Sequence, residues 1–417
     1  MKKYLSILSV VLLSLALSAC GGGGGGGSSS NAPSGAPNNS GPGNTVSGPV
    51  ASTVANQVPL TASGSAYNTF NRAYVSVTVC VPGTTTCQTI QNVAVDTGST
   101  GLRLFASALS SQMLSSLPEE TSGGAPVNEC AMFAGGNTWG TVRTADVKMA
   151  GEVGSAVPIQ VIGDNVSAVP TACTNSAQGA GMISTPNTMG ANGLLGVSST
   201  KQDCGAYCAG TASPYYYANG VEVVVAASQQ LTDPVTMFGS DNNGVLLSLP
   251  SISSNGATSA TGTLTFGIDT QSDNTLSALG LTQYQTSGNS LSAMFGSSST
   301  SAIFDSGSPM YYFSDAAIPK CSNTTYYCPG SDVALSLSVS GENGTQSTQN
   351  FSIRSAATLL TQTPSNYAFS NIGEDSSANV SLNSVFDMGL TFFFGRNVGF
   401  VFDSMPTYEG QGPAIVF

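Results

Sequence analysis

The stretch "VAVDTGSTGLRLF", residues 93–105, places one acid and two glycines inside an otherwise apolar run. Charged residues make up only 8% of the chain, so a carboxyl in such a run needs a physical reason. A second stretch, "SAIFDSGSPMYYF" at residues 301–313, repeats the pattern of apolar residues, Asp, Thr or Ser, Gly and Ser. We call residues 96–99 the first Asp loop and residues 305–308 the second. Their likeness predicts an internal repeat in which Asp96 and Asp305 are equivalent.

Each Asp loop is followed, after a similar interval, by two apolar residues and a glycine. These triplets are Leu194-Leu195-Gly196 after the first loop and Phe393-Phe394-Gly395 after the second. A single Asp-Thr-Gly could be an ordinary strand that ends in a turn. Two copies, each with its triplet in the same order, predict a duplicated lobe in which the triplet supports the loop from behind.

The composition predicts a mostly β protein. Short runs of Val, Leu, Ile and Phe alternate with Gly, Asn and Pro, and no stretch after residue 20 has a clear helical period. The length is sufficient for two cores. We therefore expect an all-β protein with an N-terminal β lobe at residues 61–235 and a C-terminal β lobe at residues 236–417.

The first twenty residues, "MKKYLSILSVVLLSLALSAC", have the pattern of a secretory signal peptide. Two lysines precede an apolar segment that is too short for a comfortable membrane span. The ending Leu17-Ser18-Ala19-Cys20 resembles the bacterial lipobox, in which Cys20 is lipidated and the leader is cut before it. The alternative is an ordinary signal peptide with an incidental cysteine. Residues 21–60, rich in Gly, Ser, Asn and Pro, predict a flexible tether.

The residue after Cys20 predicts where the anchored chain is delivered. It is Gly21 rather than an aspartate, which resembles the default signal for the outer membrane in bacteria with two membranes. We therefore expect a lipid-anchored protein of the cell envelope, at the outer membrane. The periplasmic and the external face both stay open.

Export also predicts the state of the other eight cysteines, because an oxidising compartment favours disulfides. Three pairs are close in sequence, and elimination leaves a fourth. The expected pairs are Cys80 with Cys87, Cys204 with Cys208, Cys321 with Cys328, and Cys130 with Cys173. A metal site at Cys204 and Cys208 is the alternative, but structural zinc usually has four Cys or His ligands and the chain has no histidine. We expect no metal.

The absence of histidine also limits the possible chemistry. Hydrolysis by Ser-His-Asp or Cys-His groups is excluded, and no imidazole can act as a general base. A formal net charge of −12 argues against nucleic acid as a partner. Carboxyl groups remain as the acid and base that catalysis could use.

The two Asp loops and their triplets resemble those of the pepsin-like aspartic peptidases. Two further segments are similar to that family: "GTLTFGIDTQ" at residues 262–271 and "FFFGRNVGFVFD" at residues 392–403. The similarity extends in order over about residues 65–417. The leader, tether and cysteine layout resemble a family of bacterial lipoproteins of unassigned function.

The resemblance implies a pepsin-like, bilobal fold with Asp96 and Asp305 sharing one proton across a cleft between the lobes. Thr97 and Ser306 would hydrogen-bond across the junction, and Ser99 and Ser308 would bond the outer carboxylate oxygens. Gly98 and Gly307 would let the two backbones approach. It implies a peptide or protein substrate, no cofactor and a monomeric chain.

This sequence departs from the family pattern in the hairpin that covers the dyad. The family has a Tyr there, whereas the best-aligned aromatic here is Phe133, with Trp139 as a possible substitute or as ordinary packing. Arg103 stands where the family has a large apolar residue. Two functions therefore stay open: a membrane-anchored aspartic endopeptidase, or an inactive pepsin-like surface lipoprotein that binds a peptide or glycan. A purely structural envelope lipoprotein would leave the paired motifs without purpose.

Overall fold

The computed structural model describes residues 56–164, 167–174, 181–379 and 381–417. The predicted signal peptide, Cys20 and most of the predicted tether lie outside these residues. Within them, none of the helices combines the length and the apolar character that crossing a membrane would take.

The prediction of an all-β protein is confirmed, because the structure is 44% strand and 14% helix, and the α-helices of the described residues have at most seven residues. The strands of the described residues are β1 Gln57–Ser63, β2 Arg72–Cys80, β3 Cys87–Asp96, β4 Thr100–Phe105, β5 Thr121–Ser122, β6 Ala125–Phe133, β7 Gly136–Met149, β8 Glu152–Ile162, β9 Gly193–Val197, β10 Tyr216–Ala218, β11 Val221–Glu222, β12 Gly244–Leu249, β13 Ala260–Phe266, β14 Gln283–Gln285, β15 Ser290–Phe295, β16 Ser298–Ile303, β17 Tyr311–Phe313, β18 Val333–Ser340, β19 Gln346–Ile353, β20 Gly373–Asp375, β21 Val385–Asp387, β22 Arg396–Val401, β23 Pro406–Thr407, β24 Gly410–Gln411 and β25 Ala414–Val416. The α-helices are α1 Ser111–Ser116, α2 Thr171–Thr174, α3 Pro186–Met189, α4 Gly205–Gly210, α5 Leu276–Leu279, α6 Ala356–Gln362 and α7 Gly389–Phe393. Short 3-10 turns lie at Ser65–Tyr67, Ala106–Ala108, Ala227–Gln229 and Pro234–Met237.

The described strands form a sixteen-stranded sheet, a seven-stranded sheet and a two-stranded ribbon. The large sheet has the order β11-β10-β6-β7-β8-β4-β9-β3-β2-β1-β13-β12-β22-β25-β14, with β5 beside β6. The second sheet has the order β19-β18-β15-β16-β21-β17-β20. Strand β1 pairs with β2 on one side and with β13 on the other, so the large sheet joins strands from both halves of the chain.

The predicted end of the tether at residue 60 is wrong. Strand β1 begins at Gln57, and Leu60 is fully buried opposite Gly262 of β13. Residues 57–60 are therefore part of the folded sheet, because their backbone groups complete the ladder along β13. The composition of the segment did not reveal this pairing, which joins residues that are far apart in sequence.

The opening stretch of the sequence is apolar without alternation because β3 lies inside the large sheet. It pairs with β2 on one side and in parallel with β9 on the other, and residues 93–96 are all buried. A strand covered on both faces needs apolar residues at successive positions. Asp96 is the last residue of this strand, so its carboxyl enters the interior of the molecule.

The second copy of the repeat has the same local arrangement in the seven-stranded sheet. Strand β16 pairs with β15 on one side and in parallel with β21 on the other, and the second Asp loop follows it. Aromatic rings fill the core here: Phe313 and Phe386 stack with centroids 4.7 Å apart, and Phe304 meets Phe392 at 5.0 Å. The apolar runs around Asp305 are thus explained by packing.

All four predicted disulfides are present: Cys80–Cys87, Cys130–Cys173, Cys204–Cys208 and Cys321–Cys328. The first closes the hairpin between β2 and β3, where the two cysteines are cross-strand partners. The second ties strand β6 to helix α2. The pairing of Cys204 with Cys208 replaces the metal site considered for these two thiols.

Candidate active site

The two Asp loops meet in the interior and hydrogen-bond to one another in a symmetric pattern. The hydroxyl of Thr97 donates to the carbonyl of Phe304 at 2.6 Å and accepts from the N–H of Ser306 at 2.9 Å. The hydroxyl of Ser306 donates to the carbonyl of Val95 at 2.8 Å and accepts from the N–H of Thr97 at 3.2 Å. Each hydroxyl reaches the residue that precedes the opposite aspartate, so the two loops fix each other's position.

Each aspartate accepts the same pair of hydrogen bonds from its own loop. Asp96 accepts from the N–H of Gly98 at 2.9 Å and from the hydroxyl of Ser99 at 2.5 Å. Asp305 accepts from the N–H of Gly307 at 2.7 Å and from the hydroxyl of Ser308 at 2.8 Å. Both carboxyls are held in fixed orientations before any ligand arrives.

The two carboxyls lie against each other's loop, in space that only glycine leaves open. A Cβ on Gly98 would lie 2.7 Å from Cγ of Asp305. A Cβ on Gly307 would lie 2.5 Å from Oδ1 of Asp96. These separations are shorter than any tolerable contact, so the close approach of the carboxyls requires glycine at both positions.

Burial and the nearby carboxyl of Asp305 raise the pKa of Asp96. Asp96 is 5% exposed, and burial is the main cause that raises its pKa well above the usual range. The negative charge of Asp305 and a hydrogen bond to it raise this pKa further, against the opposing bonds from Ser99 and Gly98. Asp96 therefore keeps its proton at a pH where an isolated aspartate would be ionised.

A glycine lies behind each Asp loop, within the parallel strand β9 in the first copy and two residues after the parallel strand β21 in the second. In the first copy, Gly196 of β9 is level with Asp96, and a Cβ there would lie 2.8 Å from the carbonyl oxygen of Ser99. In the second copy, a Cβ on Gly389 would lie 3.1 Å from the carbonyl oxygen of Ser308. Both glycines let a neighbouring segment press against the back of the loop.

The prediction that Phe393-Phe394-Gly395 supports the second loop is wrong. The register pairs Ile303 with Asp387, which brings Gly389 level with Asp305 two residues later. Phe393 ends helix α7, and the N–H of Gly395 donates to Leu249 instead. The second triplet resembles the first only in its composition. The first triplet, Leu194-Leu195-Gly196, does lie in β9, directly beside β3.

Asp387 adds a third carboxyl to these surroundings, and sequence reasoning missed it. It ends strand β21, is fully buried, and accepts from the N–H of Gly389 at 2.9 Å through Oδ1. Burial, followed by the negative charge of Asp305, raises its pKa well above the usual range. A signal was present, because "VFDMGLTFFF" at residues 385–394 has an acid in an apolar run, as the opening stretch does.

The sequence profile of a family described as "Protein of unknown function (DUF3443)" matches residues 52–417. The chain belongs to this family. A search of curated proteins finds no match. Among solved structures, the crystal structure of an aspartic proteinase from Irpex lacteus is similar with 16% sequence identity and a TM-score of 0.48, over 86% of this chain and 96% of that chain.

In this DUF3443 chain, the strand after the first Asp loop carries a buried ion cluster. Nη2 of Arg103 lies 2.5 Å from Oε1 of Glu129 and 3.6 Å from Oδ2 of Asp203. Burial and then the charge of Glu129 raise the pKa of Asp203 well above its usual range, and Tyr216 donates to it at 2.6 Å. The cluster explains the unusual arginine: it ties β4 to strand β6 of the hairpin.

The DUF3443 hairpin formed by β6 and β7 separates the two aromatic candidates. Phe133 pairs with Gly136 at the end of the hairpin, with its ring 5.4 Å from Cζ of Arg103. Trp139 is 5% exposed and meets Tyr217 at 5.5 Å beside the Cys130–Cys173 disulfide. Trp139 is thus a packed core residue, and Phe133 is the aromatic at the hairpin end.

Proposed function

We propose that the protein is a membrane-anchored aspartic endopeptidase that hydrolyses peptide bonds with water activated between Asp96 and Asp305. One observation carries this proposal: two carboxyls, each on its own copy of one loop, lie against the glycine of the opposite loop, where burial and the charge of Asp305 raise the pKa of Asp96. A pair of this kind has an acid and a base side by side, as hydrolysis requires.

The geometry supports a direct sequence of proton transfers. The ionised carboxyl takes a proton from water while the water oxygen bonds to the peptide carbon. The protonated carboxyl gives its proton to the carbonyl oxygen, which produces a tetrahedral intermediate. When the C–N bond breaks, the protonated carboxyl gives its proton to the departing nitrogen, and the ionised carboxyl takes a proton from a hydroxyl of the intermediate, so the pair again holds one proton. This chemistry needs neither metal nor cofactor.

The N-terminal sequence supports the anchoring part of the proposal. Lipidation of Cys20 would hold the folded part at the envelope, at the outer membrane, through a tether that ends at Gln57. A labelled fatty acid should be incorporated into the full chain and should be absent from Cys20→Ser. Equal labelling of the two proteins would contradict the anchor.

A peptide library tests the peptidase part. Detergent-solubilised full-length protein would be incubated with mixed peptides from about pH 3 to about pH 7, and mass spectrometry would report new termini. Asp96→Asn and Asp305→Asn should each abolish cleavage, whereas Asp403→Asn, which changes an exposed carboxyl beside Ser404, should leave it intact. Cleavage that survives in either dyad variant would contradict the mechanism.

Phe133 favours a second candidate function. The hairpin end carries a ring without a hydroxyl, so it cannot donate a hydrogen bond to a substrate held at the dyad. A catalytically inactive protein that captures a peptide or glycan would tolerate this change. If the wild type and all variants fold and leave the library intact, calorimetric titration with peptides and oligosaccharides would distinguish binding from no interaction.

A further inference from the structure

Asp387 lies beside the second Asp loop without the partners that an ionised carboxyl needs. It is 0% exposed, and its Oδ1 accepts one hydrogen bond, from the N–H of Gly389. Within the described part of the chain, its Oδ2 has no hydrogen-bond partner, and none of the ion pairs includes it. A buried negative charge with so few donors is costly, whereas a protonated carboxyl is not.

The titratable groups that face Asp387 do not compensate a negative charge. Asp305 and Asp96 act on it from the two Asp loops, and both disfavour its ionisation. From β17, Tyr312 lies opposite it in the strand pairing, and from β16 its neighbour is Ile303. Arg72, a cation near the second Asp loop, donates to the carbonyl of Gly307 at 2.6 Å. Glu374 raises the pKa of the neighbouring Tyr312, and Arg72 lowers it.

The hydroxyl of Ser308 connects Asp387 to the dyad. It donates its single proton to Oδ2 of Asp305 at 2.8 Å, and its interaction with Asp387 lowers the pKa of Asp387 against the larger raising effects of burial and of Asp305. A serine hydroxyl has one proton to donate and lone pairs to accept with. Once that proton is given to Asp305, Ser308 can only accept from Asp387, which requires Asp387 to carry a proton.

The first copy of the repeat shows that this carboxyl is not needed for the fold. Strand β9 pairs Leu194 with Ala94, two residues before Asp96. Strand β21 pairs Asp387 with Ile303, two residues before Asp305. Leu194 and Asp387 thus hold equivalent positions, and an apolar residue suffices for the first.

We propose that Asp387 is a third carboxyl of this site, a positioning residue that carries its own proton and orients Ser308 toward Asp305. With that proton in place, Asp387 would donate to Ser308, and Ser308 would keep its own proton for Asp305. Asp387 then holds one proton in addition to the one held by the pair of Asp96 and Asp305. The protonation of Asp387 stands by itself, whereas its effect on hydrolysis rests on the proposed peptidase function.

This arrangement would set the alkaline limit of activity. When Asp387 loses its proton, Ser308 is drawn toward the new negative charge, and Asp305 loses a donor. An asparagine at position 387 cannot ionise and can still donate to Ser308 at every pH. Asp387→Asn should therefore move the alkaline limb of the activity profile to higher pH.

Unfolding at several pH values tests the proton on Asp387 without reference to activity. In the unfolded chain this residue ionises near the ordinary value of 3.8, whereas in the folded chain it stays protonated to higher pH. Relative to Asp387→Asn, the unfolding constant of the full-length wild type should rise about tenfold per pH unit above about pH 4. The exposed-carboxyl variant Asp403→Asn measures the effect of removing an ordinary charge. A ratio between wild type and Asp387→Asn that stays constant from about pH 4.5 to about pH 7 would overturn the proposal.

Activity profiles test the catalytic role. Asp387→Leu, which copies Leu194 of the first repeat, should lower kcat about tenfold through loss of one charge-assisted hydrogen bond, and Asp387→Asn should restore part of this loss. An alkaline limb that is the same in wild type and Asp387→Asn would overturn the role in hydrolysis. If no protein cleaves, the peptidase proposal fails, and the unfolding measurement still decides whether Asp387 is protonated. That measurement needs only the isosteric Asn variant, so a folding defect in Asp387→Leu does not affect it.

Discussion

Gly98 and Gly307 are the residues that allow two carboxyls to share a proton. The backbone at Gly98 is in a region that L residues adopt, so the glycine is required by space rather than by conformation. The atom that fills this space is Cγ of the opposite aspartate, 2.7 Å from where a Cβ would stand. Any side chain at Gly98 must therefore push Asp305 away from Asp96.

Replacing Gly98 by alanine should separate the dyad while the rest of the fold remains. We expect Gly98→Ala to reduce kcat by at least about 100-fold, because the shared proton is lost, and to cost about 1–3 kcal/mol of stability through overpacking. The assay is peptide cleavage together with urea unfolding. Gly239→Ala is the matched control, since no atom lies within 4 Å of its Cβ position. Full activity in Gly98→Ala would contradict the close contact.

Strands β4 and β6 are joined by charges rather than by apolar packing alone. Arg103 on β4 is 3% exposed, and Glu129 on β6 is fully buried. Two hydrogen bonds link them, from Nη2 at 2.5 Å and from Nε at 3.3 Å. Such a pair adds little net stability, but the loss of one partner leaves the other charge uncompensated.

Removing the arginine alone should therefore be more harmful than removing both charges. We expect Arg103→Met to lower the free energy of unfolding by about 3–5 kcal/mol, because Glu129 stays buried without a cation. The double variant Arg103→Met/Glu129→Gln should recover a substantial part of this loss. Urea unfolding of wild type, both single variants and the double variant measures the coupling. Losses that simply add would show that the two side chains act independently.

The disulfides should differ in their effect according to the length of chain that they close. Cys130–Cys173 closes a separation of 43 residues, and Cys204–Cys208 closes a separation of four. The chain-entropy relation gives about 4 kcal/mol for the first and about 2 kcal/mol for the second. Unfolding of the two Cys-to-Ser double variants would measure this. A larger loss at Cys204–Cys208 would mean that native contacts, not chain entropy, dominate.

The sequence predicted those elements whose signal is local. The two Asp loops, the all-β class and three disulfides each depend on residues close together in the chain, and the fourth disulfide followed by elimination. The triplet behind the second loop was misplaced because two phenylalanines and a glycine also occur where α7 meets β22. Only the register of β16 against β21 identifies Gly389 as the supporting residue.

The partners of the buried charges could not be predicted from spacing. Arg103 was recognisable as unusual, but Glu129 stands 26 positions away on a strand whose pairing depends on the whole sheet. Asp387 likewise becomes significant only once β21 is placed beside β16. Burial and neighbours of a charged residue are properties of the tertiary structure, and a sequence pattern identifies the residue without its partner.

Buried acids are spread through the whole molecule. Burial raises the pKa of Asp96, Asp203, Asp233 and Asp387 well above the usual range. Each of these groups ionises more readily in the unfolded chain than in the folded one. Asp375 acts in the opposite direction: burial would raise its pKa, but hydrogen bonds from Lys320 and Ser377 lower it. The balance favours a folded state that binds more protons than the unfolded state above about pH 4.

The protein should therefore be more stable in mild acid than at neutral pH. A raised pKa in the folded state contributes stability that is present below the unfolded value of 3.8 and is lost as pH rises toward the folded value. Each such group changes the free energy of unfolding by about 1.4 kcal/mol per pH unit in this range. Urea midpoints from about pH 4 to about pH 7 should decrease. A rising midpoint would contradict the protonated state of these acids.

Strand β1 determines how the folded part would respond to pulling on its N-terminal segment. Strand β1 begins at Gln57, and it pairs with β13 from Gln57 to Ala62 but with β2 only from Thr61 to Ser63. A force along the strand loads the ladder to β13 in shear, so six residue pairs from Gln57–Thr265 to Ala62–Ala260 share the load. The bonds cannot open one at a time, as they would if the strand were peeled from its end. If the N-terminal segment is anchored as proposed, the first strand of the fold would carry the pulling force.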